Sequence, residues 1–343
     1  MVDVDDILKT AIEKDASDVH LISGIRPMLR IARHLTPYEG CDNLTPEDMA
    51  DIYDYFIRGN IDKDAVFTQT KKLDSSFEFN GLRFRVNISL SGDVPVFTLR
   101  LIKNELPTFD ELGVPDIVRR MMYQPQGLVL VTGKTNSGKT TTLNALINEI
   151  NETQNKKILT LESPVEFKHK CKQSVIVQKE VGYGQDVLTY KDGVKNCLRE
   201  DCDILVIGEI RDSETAKIAV RASITGHLVL STVHTNNSLS TIARLLDMNV
   251  ERYLLASALT GIVSQKLARK LCDKCKRIRK TTTHEKQLFK AVLGKNIEEV
   301  YESVGCDECH GGYKGRIAIH EVLLINQEIR DAISTGVKKE DLR

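Results

Sequence analysis

The stretch Gly133-Lys-Thr-Asn-Ser-Gly138-Lys139-Thr140 sets two glycines, a lysine and a threonine at the spacing G-x-x-x-x-G-K-[ST]. In a loop of this kind, backbone N–H groups curl round a β-phosphate. The lysine reaches the β- and γ-phosphates, and the hydroxyl supplies an oxygen to Mg2+. The residues that would form the cradle are Gly133, Lys134, Thr135, Asn136, Ser137, Gly138, Lys139, Thr140 and Thr141, with Thr140 as the Mg2+ ligand. The spacing alone also occurs by chance, so the flanks decide. Gly127-Leu-Val-Leu-Val-Thr132 reads as a buried strand and Thr141–Ile150 as a helix, the order the chemistry needs. The helix N-terminus adds positive potential for an anion.

Two acids could complete a hydrolytic site. Ile158-Leu-Thr-Leu-Glu162-Ser-Pro-Val-Glu166 is a strand ending in carboxylates. Strand ends of α/β sheets open into the ligand crevice, where a carboxylate orients or deprotonates a water. A solvated turn fits the same segment equally well. Asp203-Ile-Leu-Val-Ile-Gly208-Glu209-Ile-Arg211 closes an apolar strand on Glu209, where such folds place the acid on the Mg2+ side. The competing reading is a structural partner for Arg211. His227 and His234 bracket the strand between them. A neutral imidazole there senses a γ-phosphate or bonds an acid, although a single histidine is more often structural. Arg83, Arg85 and Arg100 fall on adjacent strands far upstream, as either a solvated basic face or a charge clamp for phosphates.

Cys272-Asp-Lys-Cys275 and Cys306-Asp-Glu-Cys309 form two C-x-x-C pairs separated by the 30 residues 276–305. Four thiolates make a tetrahedral site for Zn2+, closed and therefore structural. His310 is a bystander at most. The other four cysteines, Cys41, Cys171, Cys197 and Cys202, show no pairing logic. The run Lys266–Lys280 is basic and reads as a solvated surface around this knuckle, with nucleic acid or an acidic partner as the alternative.

These residues need two kinds of scaffold. Apolar spacing predicts helices over 3–14 and 47–57. Leu73–Ile102 reads as a three-stranded β-meander turned at Asn80-Gly81 and Ser91-Gly92-Asp93. Beyond Pro107 strands and helices alternate, which implies a mostly parallel sheet. Its strands are expected at Gly127–Thr132, Ile158–Glu162, Asp203–Ile207 and Leu228–Thr232, with helices near 139–151, 186–199, 213–224, 237–247, 251–268 and 281–304. The expected organisation is an N-terminal α+β domain over 1–103, a linker over 104–112, and an α/β domain over 113–343 carrying the knuckle at 272–309.

The chain has 343 residues, 41% apolar and 28% charged, with net charge +0. That balance is globular and removes a bulk electrostatic case for nucleic acid or anionic membrane. No apolar run approaches the roughly 20 residues that span a bilayer. The acidic start Met1-Val-Asp-Val-Asp-Asp lacks the order of a signal peptide. The expectation is a cytoplasmic protein whose eight cysteines are thiols or metal ligands.

Taken together, these stretches resemble the type II/type IV secretion ATPase superfamily, the ring motors of type IV pili and type II secretion. Ala16-Ser-Asp-Val-His20-Leu, Arg83-Phe-Arg-Val-Asn87 and Leu106-Pro-Thr-Phe resemble the N-terminal domain of the pilus retraction ATPases, as does the short N-terminus. Gly133–Thr140 is similar to the family's Walker A, Thr160–Glu166 to its Asp box, Gly208–Asp212 to its Walker B, and Thr225–His227 with Thr232–Thr235 to its His box. The resemblance implies a PAS-like first domain and a RecA-like P-loop ATPase domain. It implies ATP/ADP and Mg2+ as ligands, with Glu162 as base and Arg85 and Arg100 as arginine fingers. It further implies a homo-hexamer that works on an inner-membrane pilus platform protein, peripheral to the inner face of the cell membrane, without nucleic acid. Retraction, hence twitching motility, is the first reading. The cysteine pairs resemble the pilus extension and type II secretion ATPases instead, so extension or secretion is the alternative. Three departures stand out. Asn136 replaces a glycine, Ser163 replaces the aspartate of the Asp box, and the Ala-Ile-Arg-Ala-Gly-Glu stretch of retraction motors has no counterpart. The end at Leu342-Arg343 without a cap suggests a truncated chain.

Overall fold

Asn80-Gly81 and Gly92-Asp93 turn the chain twice between three long strands, and those strands anchor the first half of the fold. The computed structural model describes residues 2–336 apart from 32, 33, 58, 103–105 and 184. The first half runs α1 (Val4–Glu13), β1 (Asp18–Leu21), β2 (Met28–Ile31), β3 (His34–Pro37), α2 (Pro46–Ile57), α3 (Ile61–Thr70), β4 (Lys72–Phe79), β5 (Leu82–Ser91) and β6 (Val94–Ile102). Its sheet has the order β3-β2-β1-β6-β5-β4, antiparallel throughout. Asn80 and Gly81 take φ +50° and +74°, the left-handed pair that matches strand twist in a two-residue hairpin. Along β5, Phe84, Val86 and Ile88 enter the core with Ile7, Leu8, Met49 and Ile52 of the helices. By the period of two, Arg83 and Arg85 are left on the opposite face.

The second half runs α4 (Asp116–Met122), β7 (Gly127–Thr132), α5 (Lys139–Thr153), β8 (Lys157–Glu162), β9 (Val175–Glu180), α6 (Tyr190–Cys197), β10 (Ile204–Ile207), α7 (Ser213–Ile224), β11 (Leu228–Val233), α8 (Ser238–Asp247), α9 (Arg252–Ala258), β12 (Leu259–Leu271), β13 (Arg277–Lys280), α10 (Thr283–Leu293), β14 (Glu299–Glu302), β15 (Tyr313–Leu324) and α11 (Gln327–Thr335). The main sheet has the order β15-β12-β7-β11-β10-β8-β9 and is parallel except for the edge strand β15. Helices cover both faces, so β7 is buried along its whole length. Leu128 and Leu130 enter one core while Val129 and Val131 enter the other.

The mixed α/β class and the order of an antiparallel domain before a parallel one agree with the sequence reading. Several elements differ. The helix expected over 251–268 stops at Ala258, and Leu259–Leu271 is the strand beside β7. Its apolar run suits a helix or a strand, and the open slot between β7 and β15 selects the strand. The helix expected over 281–304 ends at Leu293 with Gly294 at φ +65°, and β13 and β14 pair around it. The helix over 186–199 shortens to 190–197 behind a Thr189 cap. Of the expected linker, Asn104 and Glu105 lie outside the described residues. Phe109 and Val114 are already buried in the second core beside Val118 and Met121. No helix among the described residues is long and apolar enough to cross a membrane.

Candidate functional site

The parallel strands β7, β8, β10 and β11 all end at one edge of the sheet, and the loops that leave those ends supply the site. Gly133 leaves β7 at φ +153°, and a Cβ there would lie 2.4 Å from the Gln265 carbonyl oxygen. Gly138 caps α5 at φ +85°, where a Cβ would lie 2.8 Å from Gln265 Nε2. Only glycine fits either position. Asn136 takes φ +62°, a conformation asparagine tolerates better than most residues, so its substitution for glycine leaves the loop intact. Lys139 is buried, and its Nζ donates to the Lys134 carbonyl at 3.0 Å. Burial lowers its pKa, opposed by the charge of Glu209. The Ser137 Oγ is buried with no hydrogen-bond partner. An orphan hydroxyl, a lysine and two glycine-bounded turns at a helix N-terminus fit a phosphate group.

A cavity of about 1260 Å3 opens over this loop. Thr135 to Thr141 line it, together with Glu162, Glu166, Glu209, Arg211, His234, Arg85 and Arg100. Gly133 and Lys134 shape the loop from outside that lining. Glu162 is 6% exposed; its Oε1 accepts the Thr160 hydroxyl at 2.7 Å and the Gln178 amide at 3.2 Å. Burial holds its pKa up against those two donors. Glu166 is likewise raised by burial, opposed by Arg85 and Arg100. Glu209 lies 2.6 Å from Arg211 and 3.4 Å from His234 Nε2, so it partners Arg211 while bordering the cavity. His227 is not brought to the cleft. It precedes β11 at the far end of the strand, level with the start of β7, and its Nδ1 faces the Ala222 carbonyl at 3.3 Å.

Arg85 and Arg100 are direct cross-strand partners on β5 and β6. Like charges so placed oppose one another by about 0.2–1 kcal/mol, a cost an anion between them would remove. Arg100 also pairs with the buried Asp18 at 2.9 Å, and Arg85 only loosely with Asp74 at 3.9 Å. Arg83 points elsewhere and bonds Glu180.

The sulfurs of Cys272, Cys275, Cys306 and Cys309 all lie within 4.8 Å of one another. Neighbouring pairs are 3.6–3.9 Å apart. Zinc–sulfur bonds of about 2.3 Å in a tetrahedron put sulfurs roughly 3.8 Å apart, so the donor set fits zinc. His310 bridges to Tyr313 through its backbone and is not in the cluster. The cluster fastens the ribbon of β12 and β15 at its far end, since Cys272 follows β12 and its N–H donates to the Gly312 carbonyl at 2.8 Å. That ribbon walls the cleft with Leu267, Arg269 and Arg316, so the basic run is in part cleft lining rather than solvated surface.

Several residues escaped the sequence reading. Gln265 accepts the Thr142 hydroxyl at 2.7 Å and donates to the Ser137 carbonyl at 2.8 Å, fixing the phosphate loop from β12. Gln178 on β9 holds Glu162 and also receives the His169 N–H. Burial brings His169 to about 4, so its neutral ring meets the Asn144 side chain at 2.8 Å. Each lies in no motif. For the two glutamines the only signal is an amide within a strand, which must find a partner.

A family profile described as type II/IV secretion system protein matches residues 68–343. A type II secretion system protein E of Aeromonas hydrophila is 42% identical over 222 residues, covering 64% of this chain and 43% of that protein. The type IV pilus assembly ATPase PilB of Thermus thermophilus is 32% identical over 355 aligned residues, covering 99% of this chain and 39% of that protein. The chain thus spans less than half the length of either relative. Among solved structures, the pilus retraction motor PilT with bound ADP superposes with a TM-score of 0.81 at 32% identity, covering all of this chain and 89% of that one.

Proposed function

Because this chain belongs to the type II/IV secretion system protein family, we propose that it is an ATP-hydrolysing motor whose nucleotide site is the cleft above the Gly133–Thr140 loop. The observation that carries this is convergence: loop, Glu162, Glu209 and the facing arginines of the other sheet all border one cavity. Lys139 and the loop amides bind the β- and γ-phosphates. Glu162, held by Thr160 and Gln178, accepts the proton of the attacking water. Its burial makes it a stronger base than a solvated carboxylate. Arg85 and Arg100 neutralise charge on the transferred phosphoryl group as the first sheet closes. Thr140 and Glu209 would hold Mg2+, which would offset the negative charge of the phosphates. Glu209 also keeps His234 in place. His227, remote from the cleft, would act at a subunit neighbour. Cys272, Cys275, Cys306 and Cys309 would hold a structural Zn2+.

We take the motor to be a homo-hexamer at the inner face of the membrane, in the cytoplasm, pushing on a membrane-embedded platform protein. We take the domains to be 1–103 and 113–343 with 104–112 between them, Phe109 of that connection packing into the core of the second. Likeness to PilT along the whole chain supports pilus retraction. The cysteine cluster and the named secretion and PilB relatives support a second reading, extension or type II secretion. Excess surface pili in a deletion strain point to retraction, and loss of pili or of secretion to the second reading. For the activity itself, Lys139→Ala should abolish nucleotide binding and turnover. Wild-type turnover by that variant would remove the cleft from the reaction.

A further inference from the structure

Of the three arginines on β5 and β6, Arg83 alone is absent from the cavity wall. It reaches across to the second sheet, where its guanidinium bonds Glu180 at the end of β9, and it also bonds Ser76 Oγ on the adjacent strand β4 of its own sheet at 2.5 Å. Ser76 Oγ also lies 3.0 Å from Glu180 Oε1. The ion-paired side chains are only 12% and 11% exposed. Glu180 is the register partner of Glu162 on the neighbouring strand, and its Oε1 accepts the Val165 N–H at 3.3 Å. Beside this group, Glu78, directly across from Arg83, pairs with Lys168.

We propose that Arg83, Glu180 and Ser76 form a clasp that holds the first sheet closed over the cleft. The clasp positions Arg85 and Arg100, and through Val165 it positions the Ser163–Glu166 loop beside Glu162. Arg85 is two residues from Arg83 on one rigid strand, about 7 Å along it, so fixing one fixes the other. A charge pair withdrawn from water tolerates little sliding, because either partner left alone pays its desolvation without return. When the sheets part, both groups regain water. The clasp therefore contributes to the closed state and not to the folding of either half. These three are positioning residues. None of the three lines the cavity.

The test is a charge-reversal cycle, and its turnover readout rests on the ATPase reading above. Arg83→Glu and Glu180→Arg should each lower kcat and weaken ATP binding by about 5- to 150-fold, the range of coupling between sites. The double variant should recover most of both losses, with all three melting near wild type. Arg83→Gln and Glu180→Gln repeat the cycle if a reversal variant does not fold. A resonance-energy-transfer pair, with one dye on an exposed position of each half, reads closure without any nucleotide. The signal should fall in the singles and return in the double. Singles that keep wild-type kinetics and transfer, or a double no better than the product of the singles, would overturn the clasp. If transfer follows the cycle while wild-type protein hydrolyses no ATP, the clasp stands and the ATPase reading falls.

Discussion

Gln265 carries the shape of the phosphate loop, and the strength of that dependence can be worked out. The side chain is 2% exposed and makes two hydrogen bonds, from the Thr142 hydroxyl at 2.7 Å and to the Ser137 carbonyl at 2.8 Å. Gln265→Leu keeps similar bulk and removes both. Threonine in a helix can turn its hydroxyl to the carbonyl four residues back, so Thr142 finds a new partner. The Ser137 carbonyl does not, and an unpaired buried acceptor costs about 1–3 kcal/mol. The loop relaxes to avoid that cost, and a bound phosphate must restore it. Nucleotide binding should then weaken by about 2 kcal/mol, roughly thirtyfold in Kd. Thr142→Val removes only the first bond, about 1 kcal/mol or roughly fivefold. The two share one interaction, so the double variant should lose less than the sum. Calorimetric titration with ADP measures all four proteins, and thermal melts check that each is folded. Gln265→Leu protein that melts like wild type and binds ADP within about twofold of it would refute the reasoning.

Three other outcomes follow from the same geometry. Burial raises Glu162, so its folded form favours the proton: that contribution to stability is present at low pH and is lost as pH rises past the raised value. Glu162→Gln should therefore melt above wild type at neutral pH, with the difference shrinking on acidification. In wild type, kcat/KM should fall on the acid side at a pH above the ordinary carboxylate range. Arg85→Ala should cut turnover by about 10³-fold or more if it acts as an arginine finger. Without nucleotide the same change should leave the melting temperature equal or slightly raised, since it relieves the repulsion with Arg100. Metal analysis should find one zinc per chain, and Cys306→Ser should remove it. Amides of the β13–β14 hairpin would then lose exchange protection while β7 keeps its own.

The parts of the cleft legible in the sequence were those confined to a short span. Gly133–Thr140 reveals itself because strand, loop and helix are contiguous, and Glu162 and Glu209 because each ends an apolar strand. The four cysteines are legible through their spacing, although α10 and a hairpin lie between the pairs. What stayed hidden is what depends on neighbours distant along the chain. The stretch 259–268 reads as helix until β7 and β15 are seen to leave a strand-wide slot. Gln265 and Gln178 look like isolated polar residues until the fold puts the phosphate loop and Glu162 beside them. His227 looked equivalent to His234 because they flank the same strand. A parallel sheet has its crevice at one edge only, so the six residues of β11 separate their fates. Arg83 and Arg85 share a face by periodicity, yet one meets Glu180 and the other the cavity.

The central claim is that Glu162 activates the water which attacks ATP held by the Gly133–Thr140 loop. Phosphate release in a single turnover, measured with saturating Mg-ATP on wild-type and Glu162→Gln protein, tests it most directly. The account predicts that the variant binds ATP as tightly as wild type and releases phosphate about 10²–10⁴-fold more slowly, the range for loss of a general base. Phosphate release at the wild-type rate from Glu162→Gln would contradict it.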